Sequence, residues 1–186
     1  MPPPGFVDFP APVRTKEICV NGGNRPTQST VSRVSALELR VPPLALVVIF
    51  AAVMWLGARV APFFHVLIPW RAVTAVCLAA TGISVSLAGV AAFRGVRTTV
   101  NPYRPEATSA VVRTGVYRYS RNPMYLGLLF VLGGWAVLLS NLFAIALLPL
   151  FVAYVSRFQI VPEERWLMEK FGEEFVAYMK TTRRWF

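Results

Sequence analysis

At 186 residues the chain has room for one compact unit. With 55% hydrophobic and 15% charged residues and a mean hydropathy of +0.53, it has too little polar surface to coat a globule in water. Lipid is the expected solvent for much of it, and a soluble enzyme is excluded. The net charge of +10 does not point to nucleic acid, because the basic residues lie between apolar runs, a pattern that suits anionic lipid headgroups. Cys19 falls in a polar tail, Cys77 in an apolar run, and His65 is the single histidine. No disulfide framework or His/Cys metal site can be built from these, and nine acidic residues support a carboxylate site poorly, so no metal is expected.

Residues 1–40 carry Pro2, Pro3, Pro4, Pro10, Pro12 and Pro26, an Asn-Gly-Gly-Asn turn at 21–24 and a Thr/Ser-rich stretch. They read as a disordered or loosely attached tail, with 41–186 forming one membrane domain. A removable signal peptide is not expected, since no early basic segment leads into an apolar core and a small-residue cleavage site.

Four apolar runs follow, at about Pro42–Ala58, Ala72–Phe93, Met124–Ser140 and Leu142–Val161. Each approaches the ~20 residues a helix needs to cross ~30 Å of hydrocarbon. Strands would leave backbone groups unpaired in lipid, so the fold class is an all-α integral membrane bundle of about four transmembrane helices. Ser140-Asn141 alone separates the last two runs and predicts a tight hairpin. Small residues in run two (Ala79, Ala80, Gly82, Ser84, Ser86, Gly89) and Gly133-Gly134 in run three permit close helix approach.

Lys and Arg concentrate in the tail, between runs two and three (Arg94, Arg97, Arg104, Arg113, Arg118, Arg121) and after run four. By the positive-inside rule both termini and the 94–123 loop face the cytoplasm, an even topology that agrees with four spans. All of the 19 basic residues except Lys16, Lys170 and Lys180 are arginine. That bias suits a GC-rich genome and favours a bacterial inner membrane over the endoplasmic reticulum. From Glu163, Leu167, Phe171, Phe175 and Met179 recur every fourth position. This predicts a C-terminal amphipathic helix after Pro162, interrupted at Gly172.

Nucleophile elbows, phosphate loops and dinucleotide fingerprints are missing from the sequence. The chemistry-bearing region is the long loop. Its turn residues are Pro102, Pro105, Gly115 and Pro123, and Tyr117, Tyr119 and Tyr125 offer flat faces to a base ring or a sulfonium. Glu163-Glu164 returns to the same face from run four, where a carboxylate can hold an ammonium group. Taken singly, the arginines read equally as membrane anchors, the tyrosines as interfacial belt residues and the glutamates as helix-start residues.

Gly115-Val-Tyr117, Arg121-Asn-Pro-Met-Tyr125-Leu-Gly127, Glu163-Glu164-x-x-Leu167 and Phe171-Gly-Glu-Glu-Phe-x-x-Tyr178 occur here in that order. Together they resemble the integral-membrane methyltransferases that include isoprenylcysteine carboxyl methyltransferases and phospholipid N-methyltransferases, over residues 70–186. The resemblance implies S-adenosyl-L-methionine as methyl donor, in a pocket roofed by the 94–123 loop and the C-terminal helix. It places cofactor contacts on Ala110, Val111, Val112, Tyr117, Asn122, Pro123, Met124, Tyr125 and Glu163. Where the family usually has His, this chain has Asn122, which can bind but cannot titrate near neutrality. Where prenylcysteine enzymes place an arginine for the substrate carboxylate, it has Gln159. Arg157 lies about 200° away around a helix and cannot stand in.

Methyl transfer from a sulfonium is an in-line displacement, so alignment and exclusion of water suffice. Glu164 or water is the expected proton acceptor for an amine, and Arg121 is the other expected catalytic residue. The expected acceptor is a lipid-like or small apolar molecule with a carboxylate, thiol or amine, reached from the membrane. A non-catalytic scaffold or carrier that binds anionic lipid through the basic loop is the competing reading, and a family member that keeps the pocket without chemistry is a third.

Overall fold

The computed structural model describes residues 41–95 and 111–185. The tail 1–40 and the loop residues 96–110, Ala110 among them, lie outside the described residues.

Helix α1 spans Pro43–Val60, α2 Arg71–Gly95, α3 Pro123–Leu139 and α4 Leu142–Val155. A π-helical turn, Ser156–Ile160, joins α4 without a break to α5, Val161–Phe171; α6 covers Glu173–Thr181. No strand occurs among the described residues. Prolines start α1 and α3, positions where the missing N–H would have had no helical partner. α1, α2 and the continuous helix Leu142–Phe171 are long and apolar enough to cross a membrane, and α3 is an apolar helix of 17 residues. Val48, Val76, Ile83 and Leu87 point outward, as lipid-facing side chains should. The chain is a multi-pass membrane protein.

The sequence reading starts a separate helix after Pro162. The structure instead carries the helix of the fourth span through that proline to Phe171. The ring of Pro162 would crowd the carbonyl four residues earlier, and the wider π turn lies across that carbonyl's residue, Phe158. The break falls at Gly172, whose φ of 52° favours glycine. About 20 residues from Leu142 suffice to cross the apolar layer, a length that ends just before Glu163 and Glu164.

Contact between α2 and α3 is close because both are notched. A Cβ on Gly127 would overlap Ser86 Oγ and the Gly82 carbonyl, and one on Gly134 would meet the Ala75 carbonyl at 2.7 Å. Gly133, singled out in the sequence with Gly134, has nothing within 4 Å. On its other side α3 packs with α1 and α4 around Met54, Leu132, Ala136 and Phe151, and Trp135 donates its ring N–H to the Ala51 carbonyl at 3.0 Å. At the hairpin end Ser140 is left-handed and Asn141 caps α4, accepting from the Phe143 N–H at 2.9 Å. Asn141 also donates to the Ala61 carbonyl at 3.1 Å, which ties the α1–α2 connection to the hairpin.

Candidate functional site

At the opposite end of the bundle, four segments meet: residues 111–122, the first turn of α3, the first turn of α5, and α6 with the residues after it. Gly115, at φ 61°, turns the chain into a short 3-10 helix, Gly115–Arg118, which buries Tyr117 and leaves Tyr119 80% exposed. Of the three tyrosines expected to offer ring faces, Tyr119 therefore turns away, whereas Tyr117 and Tyr125 are buried together with Val112. Val111 is partly buried. The missing side chain of Gly89 on α2 leaves room for Met124 and for the Tyr117 hydroxyl.

Pro123 sets the first turn of α3, and Tyr125 projects from it toward α5. Its hydroxyl donates to Glu163 Oε2 at 3.4 Å, the long end of hydrogen bonding. Burial raises the Glu163 carboxyl to about 7; the Tyr125 hydrogen bond pulls it down and the Glu164 charge pushes it up again. Burial and, next, the Glu163 charge likewise raise the Tyr117 hydroxyl, which keeps it a neutral donor. Tyr117, Tyr125 and Glu163 thus form one polar corner in an otherwise apolar wall.

Glu164 faces a different environment. Arg121 Nη1 lies 3.0 Å from its Oε1, and Arg184 reaches it with Nε at 3.2 Å and Nη2 at 2.5 Å. Both oxygens of Glu164, the expected proton acceptor, are thus held by guanidinium groups. Arg121, expected beside the reacting atoms, is instead an ion-pair partner. Its Nε and Nη1 are buried without an aligned hydrogen bond, and its backbone N–H donates to the Arg183 carbonyl at 3.0 Å.

Two more expected contacts are already engaged. Gln159 is buried and donates to the Val41 carbonyl at 3.0 Å, which fixes the π turn to the start of α1 and takes up one of its two amide N–H groups. Asn122 donates its side-chain N–H to the Arg184 carbonyl at 3.1 Å. The loop is also held by residues that the sequence reading did not place. Tyr178 donates to the Tyr117 carbonyl at 2.7 Å, and Arg113 pairs with Glu174 at 3.0 Å while lying over the Tyr178 ring. Burial pushes the Tyr178 hydroxyl up to about 12, so it stays a donor at neutral pH. Among the described residues no cluster of His, Cys, Asp and Glu fit for a metal ion exists.

The phospholipid methyltransferase family profile matches residues 70–174. The chain is 40% identical over 62 residues to an uncharacterized protein of Haemophilus influenzae, covering 33% of this chain and 98% of that one. It is 35% identical over 78 residues to the protein-S-isoprenylcysteine O-methyltransferase of Saccharomyces cerevisiae, covering 40% of this chain and 31% of the yeast protein. No solved structure matches. The matched stretch runs from the start of α2 to the first turn of α6 and so takes in the polar corner and the helices that carry it; the chain belongs to the phospholipid methyltransferase family and is a methyltransferase.

Proposed function

We propose that the protein transfers a methyl group from S-adenosyl-L-methionine to a lipid-like or small apolar acceptor at the cytoplasmic face of the membrane, probing the acceptor from the lipid side. The meeting of Tyr125 with Glu163 carries this reading, because it joins the two motif blocks at one end of the bundle. The donor set fits the cofactor. A carboxylate beside buried tyrosines can take a cationic amine or sulfonium, and apolar Val112, Met124 and Pro123 can cover its nonpolar parts. When bound, the cofactor supplies an activated methyl group on sulfur.

This chain's own residues then bind, orient and exclude water. Glu163 holds positive charge and Tyr125 fixes the direction of its carboxylate. Tyr117 presents a neutral hydroxyl and a ring, and α6 keeps the loop closed through Tyr178. Where the acceptor is an amine, its proton passes to water, since Glu163 is held ionised against the bound cation. The concentration of arginine at this end supports a cytoplasmic orientation by the positive-inside rule.

The test is labelled-methyl transfer by the purified protein in liposomes, read separately in total lipid, thiol and small-molecule pools. Label in one pool names the acceptor class. Label in none, with active cofactor present, contradicts the proposal.

A further inference from the structure

The four described residues after α6, Thr182 to Trp185, do something that composition does not suggest. Arg183 and Arg184 follow Lys180 at the end of a basic segment and read as headgroup anchors. Arg183 is exposed and fits that role, but Arg184 turns inward. Thr182 leaves the helix in extended conformation and is buried, and Trp185 packs against the hydrophobic core.

Between those two points the backbone runs along residues 120–122. The Arg183 carbonyl accepts the Arg121 N–H, and the Arg184 carbonyl accepts from both Ser120 Oγ at 3.3 Å and Asn122 Nδ2 at 3.1 Å. The Arg184 side chain crosses to α5 and grips Glu164 at two points. One residue thereby touches the loop through its carbonyl and the glutamate pair through its guanidinium. Residues 120–122 belong to no helix body, so their buried polar groups need partners from elsewhere, and this segment supplies them. It also accounts for Asn122: the amide at the entrance of α3 makes no side-chain cap and spends its donor on the segment.

We infer that Thr182–Trp185 is a strap that sets the geometry of the candidate site, with Arg184 the positioning residue that links Asn122 on the loop to Glu164 on α5. Glu164, held from two sides by Arg121 and Arg184, is the anchor of this link, and its neighbour Glu163 is thereby presented to Tyr125. The effect on methyl-donor binding rests on the proposed function; the strap itself does not.

The test uses the full chain in detergent, with Arg184→Ala, Arg184→Lys, Asn122→Ala and the Arg184→Ala/Asn122→Ala double variant. Two readouts are taken: hydrogen exchange of the 117–125 amides without ligand, and S-adenosyl-L-methionine affinity by calorimetry. Arg184→Ala should speed exchange at 120–122 and weaken affinity about tenfold, with the far hairpin at 140–145 keeping its protection and so showing that the variant is folded. Arg184→Lys, which keeps the charge but loses the two-point grip, should recover part of the affinity. The double variant should lose less than the product of the two single losses, because both residues hold one strap.

Unchanged exchange at 120–122 in Arg184→Ala overturns the strap. Faster exchange with unaltered affinity overturns the positioning role. If the unsubstituted chain binds no S-adenosyl-L-methionine, the functional reading fails, and the exchange arm still decides the strap.

Discussion

Tyr125 and Glu163 lie 38 positions apart in the chain and on different helices, yet the hydroxyl of one faces the carboxylate of the other at 3.4 Å. The first turn of α3, set by Pro123, and the part of the fourth helix just past the π turn bring them to the same end of the bundle. Replacing Tyr125 with Phe or Glu163 with Gln should each weaken S-adenosyl-L-methionine binding by about 1–3 kcal/mol, the range for loss of a buried polar contact. Calorimetry in detergent measures it, and unaltered affinity in both variants would remove these residues from the site.

Binding should also depend on pH in a direction set by Glu163. Burial raises its carboxyl to about 7, so near neutrality the unliganded site holds a proton part of the time. A cationic ligand favours the ionised form, so the pKa falls on binding and a proton is released. Affinity should therefore drop as pH falls through about 7, by up to about tenfold per pH unit, and level off above it. Proton release, read from calorimetry in buffers of different ionisation enthalpy, should vanish in Glu163→Gln. An affinity that rises on acidification contradicts the assignment.

The α2–α3 contact gives a test of the fold with its own control. Gly127→Ala places a methyl group against Ser86 and the Gly82 carbonyl and should destabilise the protein by about 1–3 kcal/mol, whereas Gly133→Ala meets open space and should be close to neutral. Thermal unfolding in detergent compares the two. Equal midpoints would mean that the helices do not approach as closely as described.

Asn141 both caps α4 and holds the Ala61 carbonyl. Asn141→Ala should cost about 1–2 kcal/mol, with faster hydrogen exchange confined to the hairpin end and no change in methyl-donor affinity. Loss of that affinity would show the two ends of the bundle to be coupled.

Much of the architecture was legible because hydropathy dictates it: apolar runs of spanning length must be helices in lipid, and the Ser140-Asn141 break can only be a turn. Gly172 was readable as an interruption for the same local reason. The continuation of the fourth span through Pro162 was not, since proline reads as a start signal and the π turn that accommodates it leaves no pattern in sequence. At the site, Tyr125 was singled out as a ring face and Glu163 as a carboxylate on the same side, and the resemblance gave both a cofactor role. The carbonyl partners of Gln159 and Asn122, on Val41 and Arg184, could not be read, because a backbone carbonyl has no signature in sequence. Arg184 was missed because its charge suggested headgroups, while its actual partner, Glu164, lies 20 positions away. Gly127 was overlooked beside the more visible Gly133-Gly134 pair, though only a packed structure tells which glycine faces a neighbour.

The most direct measurement is an experimental structure of the protein with S-adenosylhomocysteine. The account predicts one molecule at the loop end of the bundle, touching both Tyr125 and Glu163 and covered by Tyr117. Ligand found at the hairpin end, or in contact with one of the two motif blocks and not the other, would contradict it.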